Sequence, residues 1–312
     1  MPSPSDSTFL QSLMVSEKCR RPNTPKKPLI GLLQMLPLPG AAGWTGEANP
    51  LLARVEQEAS AMRSAGLHGI LLENTMDAPF AKGRLDAAAV VCATQAANCL
   101  YGVSQLPFGL SILQNDPETA LSMALSLEAT FIRVPVLTGT LIAESGMLEG
   151  KIHELSALMH QLKMPAGQVK FLVDVTMNHV KPSPSHGTPW RAPGEYFKRL
   201  VEAVSQYDLV DSVLLRGQEL MPDTLAELRD VTNLPLLVDT QQCTDKETLL
   251  SFYGQSDGLL LSQAIKKDPI AGMDPRTTVD VSKMEDLVTL FAKADREVEP
   301  RQVSPAGLTQ NA

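Results

Sequence analysis

The chain has 312 residues, of which 44% are hydrophobic and 20% charged, with a net charge of -8 and a pI near 5.2. Such a composition builds a large globular core, and the length admits two domains or one α/β barrel of about 250 residues with tails. The acidic balance and the 4% aromatic content argue against nucleic acid as a partner, and no apolar run approaches the ~18 residues of a membrane span.

Residues 1–27 are rich in Ser, Pro and Lys and lack periodicity, with Lys18, Arg20, Arg21, Lys26 and Lys27 set against Asp6 and Glu17. They read as a disordered leader to a cytoplasmic protein. A transit segment for the mitochondrion or another organelle is the sharper alternative. The first strand is 28–36. Asn49 and Pro50 open a helix as N-cap and first-turn residue, and Gly66 closes it. A second strand spans 69–73, and an Ala-rich helix runs near 86–100. It carries Cys92 and Cys99, read with Cys19 and Cys243 as reduced thiols, since no CxxC pair occurs. The third strand is 107–114, followed by a helix over 117–128 capped by Asp116. A fourth strand covers 130–136. A long loop and a helix near 150–163 follow it.

The fifth strand spans 169–176, and a Pro-rich loop leads from it to a helix over 194–206. The sixth is 212–216 with a helix at 222–231. The seventh is 235–239, with Thr244 and Glu247 as a capping box for the next helix. The eighth is 258–262, and a last helix lies near 282–293. Eight strands each followed by a helix predict a single closed (β/α)₈ (TIM) barrel over residues 28–294, with a disordered tail at 295–312. An open doubly wound sheet is disfavoured because no GxGxxG follows the first strand.

The working face of such a barrel lies at the C-terminal ends of its strands. Those ends carry Gln34; Glu73, Asn74 and Asp77; Gln114, Asn115 and Asp116; Arg133; Asp174, Asn178 and His179; Arg216; Asp239, Thr240, Gln241 and Gln242; and Ser262, Gln263 and Lys266. Asp116 is explained as a helix cap, while Arg133 has two readings, a core ion pair with Glu73 or Asp174 and a group that holds an anionic ligand. A purely structural barrel does not require so many polar ends, so the set points to a small-molecule site.

Several motifs at these ends form an ordered series. They are Glu73-Asn74 with Asp77-Ala78-Pro79-Phe80, Gly109 with Leu113-Gln114-Asn115-Asp116, and Phe131-Ile132-Arg133-Val134. Glu144-Ser145-Gly146 with Glu149-Gly150, and Asp174-Val175 with His179, continue it. Pro39-Gly40, Asp257-Gly258, Lys266 and Val279-Asp280 complete the pattern. Over roughly residues 28–290 it resembles the BtpA family of TIM barrels. The chain departs from the family at Gln34, where His is usual, at Gln114 for Arg, at Pro135 for Asn and at Asn178 for Lys. Gly217-Gln218-Glu219-Leu220-Met221 stands for GxxTG, Asp239-Thr240-Gln241 for Gly-Ser-Gly, and Ser262 for Gly. The lost glycines and the added Asp239 weaken the phosphate end of the barrel.

These residues and the resemblance lead to a protein that binds or converts a small sugar-like or phosphorylated metabolite. Glu73, Asp174 and His179 are the catalytic candidates, with Gln34, Asn74, Asp77, Asn115, Arg133 and Lys266 binding the ligand. Glu73, Asp77, Asp174 and His179 also form an alternative divalent-metal set by ligand type, although no HxH spacing supports it. A non-catalytic assembly or interaction barrel is the competing reading. The resemblance allows a homo-oligomer, and no interface is marked.

Overall fold

The structure, a computed structural model, describes residues 8–13, 24–176, 193–216, 220–241, 243–268 and 277–298. In chain order these form α1 (Thr8–Leu13), β1 (Leu29–Gln34), α2 (Asn49–Ala65), β2 (Gly69–Glu73), α3 (Ala87–Ser104), β3 (Phe108–Ser111), α4 (Pro117–Leu127) and β4 (Phe131–Val134). Then come β5 (Thr140–Ala143), β6 (Gly146–Glu149), α5 (Ile152–Gln161), β7 (Lys170–Thr176), α6 (Pro193–Ser205) and β8 (Ser212–Arg216). The series ends with α7 (Pro222–Leu228), β9 (Leu236–Asp239), α8 (Lys246–Gln255), β10 (Gly258–Leu261) and α9 (Val281–Val298). Strands β1, β2, β3, β4, β7, β8, β9 and β10 pair in that order, all parallel, and β10 returns to β1 to close the barrel. All eight expected barrel strands are present.

The strands read as continuous apolar runs because both faces are buried. Alternate residues separate into two clusters. Ile30, Leu32, Leu71, Phe131, Leu172, Leu214, Leu237 and Leu260 fill the barrel interior. Leu29, Leu33, Ile70, Leu72, Ile132 and their equivalents face the helices. Gly109 occupies the interior position of β3. A Cβ there would lie 2.3–2.5 Å from atoms of the Phe131 ring, so the missing side chain is what admits the ring. His68 is structural, as its position at a helix end suggests: Nδ1 accepts from the Leu29 N–H (3.1 Å), which leaves Nε2 to donate to the Pro25 carbonyl (3.2 Å).

Four features differ from the expectations. The leader, read as disordered, contributes α1: Phe9, Leu10 and Leu13 are buried in the interior cluster, and Phe9 meets Phe131 edge-on at 5.7 Å. Three apolar residues on one side of a short helix were enough to fill an open barrel end. The loop after β4 holds an antiparallel hairpin, β5 and β6, turning at Glu144-Ser145. Asn49 is the first helical residue of α2, not its cap, and Asp245 rather than Thr244 caps α8 by accepting from Thr248 N (2.8 Å). Helix α9 runs on to Val298, into the segment assigned to the tail. Asp116 does cap α4 (Thr119 N, 3.1 Å), and Gly66 closes α2 at φ 91°.

Among the described residues, helix α3 alone is long and apolar enough to cross a membrane by length and composition. Ala89, Cys92, Ala93, Ala96, Ala97 and Leu100 bury one side of it in the core of the barrel.

Candidate functional site

Two residues beyond each interior side chain, the next inward position arrives at the C-terminal mouth. In β1 to β4 these positions are Gln34, Glu73, Ser111 and Arg133; in β7 to β9 they are Asp174, Arg216 and Asp239, and Ser262 follows β10. The period of two thus converts an apolar layer into a polar ring one step higher. All of these except Ser111 line a cavity of about 430 Å³, roofed in part by the β5–β6 hairpin. That size is typical of small-molecule sites.

Arg133 is the centre of the ring. Its Nε and Nη2 donate to the two carboxylate oxygens of Asp174 (2.8 Å each), and its Nη1 donates to Glu73 Oε1 (2.7 Å). Burial alone would depress the guanidinium, but Asp174 and Glu73 outweigh it and hold Arg133 far above its ordinary value. Arg216 is held more loosely, 3.4 Å from Asp174 and 3.7 Å from Asp239, with its side chain 16% exposed. Asp239 Oδ1 accepts from Ser262 Oγ (2.7 Å) and from the backbone N–H of Gln241, two residues on (3.0 Å). Gln34 Nε2 donates to Thr75 Oγ1 (2.9 Å). Among the described residues the ring therefore carries three carboxylates and two guanidiniums.

The sequence-derived candidates divide. Glu73, Asp174, Arg133 and Gln34 come together in the cavity. Both oxygens of Asp174 are engaged by Arg133, so it positions the arginine, whereas Glu73 is held through one oxygen. Lys266 borders the cavity, but its ammonium turns to Glu58 on α2 (3.7 Å), beside Arg54. Burial lowers the Lys266 pKa, Glu58 opposes that shift, and Arg54 reinforces it.

Asn74, Asp77 and Asn115 are engaged elsewhere. Asn74 Oδ1 accepts from Leu113 N (2.7 Å) and its amide donates to Asp77 Oδ2 (2.8 Å), while Asp77 Oδ1 accepts from Leu38 N (2.8 Å). Burial raises the Asp77 pKa despite these two donors. Asn115 bridges Val136 and the Glu149 carbonyl. These three tie the loops around the mouth to one another. His179 lies outside the described residues.

The metal set does not fit this geometry: a guanidinium already stands between Glu73 and Asp174, and no metal-like cluster of His, Cys, Asp or Glu occurs among the described residues. Arg216 and Asp239, placed at strand ends by the sequence but not among its catalytic or binding candidates, carry the same signal as Glu73. Each sits two residues past an inward leucine of its strand.

A closed (β/α)₈ barrel with a polar-floored cavity at its C-terminal mouth is the class that the fold and this geometry define. Solved barrels of the same fold include tryptophan synthase from M. tuberculosis (TM-score 0.53, 13% identity, covering 92% of this chain and 97% of that one). Another is N-acetylneuraminic acid synthetase from Leptospira borgpetersenii (TM-score 0.53, 10% identity, 91% and 88%). At such identities the likeness is one of fold alone. The BtpA family profile matches residues 25–293, and the chain belongs to the BtpA family. Relatives include the photosystem I biogenesis protein BtpA of Synechocystis sp., 33% identical over 77% of this chain and 80% of that protein. An uncharacterized protein of Methanocaldococcus jannaschii is 28% identical over 86% of this chain and 96% of its own length.

Proposed function

We propose that this BtpA-family barrel binds or converts a small sugar-like metabolite in the cavity at its C-terminal mouth. The observation that carries the reading is the ring of inward polar side chains, which offers donors and acceptors from almost every strand to one ligand. Glu73 is the candidate for proton transfer, because only one of its oxygens is bonded to Arg133. A phosphorylated ligand is disfavoured. The Gln241 backbone N–H, of the kind that holds phosphate in such barrels, is bonded to Asp239, and that carboxylate repels an anion.

A non-catalytic interaction barrel is the second reading. One observation favours it: Ile142 and Met147, cross-strand partners on the hairpin, are both exposed. The cytoplasm remains the proposed compartment. Free thiols at Cys92, Cys99 and Cys243 suit a reducing environment, and the docking of α1 speaks against its removal as a transit segment.

The test is thermal unfolding of the full chain against sugars, sugar phosphates, nucleosides and divalent ions. A ligand near 100 times its Kd adds about 2.7 kcal/mol of stability. A sugar should raise the midpoint of the parent and not of Glu73→Gln. No shift from any compound, or a larger shift from a sugar phosphate than from its sugar, would overturn the reading.

A further inference from the structure

The cavity has two sides of different chemistry. Its ionic and amide groups project from β7, β8, β9 and β10 and continue round the closed barrel onto β1 and β2, with Arg133 of β4 reaching across the floor to Asp174 and Glu73. Above that floor, past the ends of β3 and β4, the lining changes. Leu113 follows β3, Pro135 follows β4, and the hairpin that leaves β4 turns Leu141 and Leu148 inwards. The inward leucines are 5% and 8% exposed, while their outward neighbours Ile142 and Met147 are 67% and 53% exposed. Gln114 and Glu144 are polar exceptions on this side, and Gln114 accepts a hydrogen bond from Ser145 in the hairpin turn.

A free sugar would satisfy the polar arc and leave polar hydroxyls against the leucines, where they find no partner. Apolar ligand surface placed there gains the usual transfer free energy, and pockets that fix orientation with a few polar groups are generally built this way. We propose that the ligand has two ends: a hydroxyl-bearing ring on the polar arc and an apolar substituent beneath the β5–β6 hairpin. Its class is then a glycoside with an apolar aglycone, with Leu113, Leu141 and Leu148 selecting the aglycone. This rests on the sugar-like reading and adds the second half of the molecule.

The experiment is calorimetric titration of the full chain with matched methyl and phenyl glycosides of several pyranoses and furanoses. The phenyl glycoside of the recognised sugar should bind at least tenfold more tightly than its methyl counterpart. Leu148→Ala should cut that preference below threefold by weakening the phenyl glycoside more than the methyl one. Leu113→Ala, on a different element, should act in the same direction and guards against a merely loosened hairpin. Equal binding of the two glycosides, or a preference that survives both substitutions, overturns the two-ended ligand and leaves the sugar reading standing. Failure of every methyl and phenyl glycoside to bind overturns the sugar reading, and this inference with it.

Discussion

Replacing Arg133 by Met tests whether the cavity floor is a dry ion network. The side chain is 3% exposed and makes three charge-assisted hydrogen bonds, two to Asp174 and one to Glu73. Removing one partner of a buried ion pair costs about 3–5 kcal/mol, because the remaining charges are left desolvated. Arg216, 3.4 Å from Asp174, takes over part of that role and places the expected loss near 3 kcal/mol, the low end. For a domain of this size each kcal/mol moves the thermal midpoint by about 2 °C, so a fall of roughly 6 °C is expected. Urea unfolding followed by circular dichroism gives the free energy directly. Arg133→Met combined with Asp174→Leu should recover part of the loss, since the second change removes the stranded carboxylate. A single variant within 1 kcal/mol of the parent, with no coupling in the double variant, would mean that solvent screens the floor. The network would then not be the organising feature of the site.

Phe9→Ala should lower the urea midpoint by about 3 kcal/mol equivalent, the lower end for truncating a buried Phe, since α1 is short. An unchanged midpoint would show that α1 does not dock. The Lys266 ammonium has a folded-state pKa below its ordinary 10.5, so between those two values the unfolded chain holds more protons and stability rises with pH. Unfolding free energies measured from pH 7.5 to 10 should therefore climb in the parent relative to Lys266→Met. Parallel curves would count against a buried, desolvated lysine.

The barrel was legible because its strands are buried on both faces and its helices carry their own punctuation, such as Asp116 before α4 and Gly66 after α2. Glu73 and Arg133 were legible for a related reason: a charged residue directly after an apolar run must find a partner or a site. Asn74, Asp77 and Asn115 looked the same from the sequence, yet serve the loops. Residue type and position do not reveal which backbone N–H will lie opposite, and the partner of Asn74 is Leu113, on another loop. The hairpin was hidden for lack of length. Four-residue strands joined through Glu144-Ser145, with Gly146 at φ 105°, are too brief for alternation to stand out from a loop. Helix α1 was hidden because its apolar side only has meaning beside an open barrel end.

That placement of α1 sets the order of assembly. Phe9 is made before every strand of the barrel, but the interior cluster that it joins is complete only once Leu260 on β10 has been made. Helix α1, made ahead of the barrel, is therefore among the last elements that can dock. Until the final strand closes the ring, the nascent chain carries Phe9, Leu10 and Leu13 exposed, a short greasy handle of the sort that chaperones recognise.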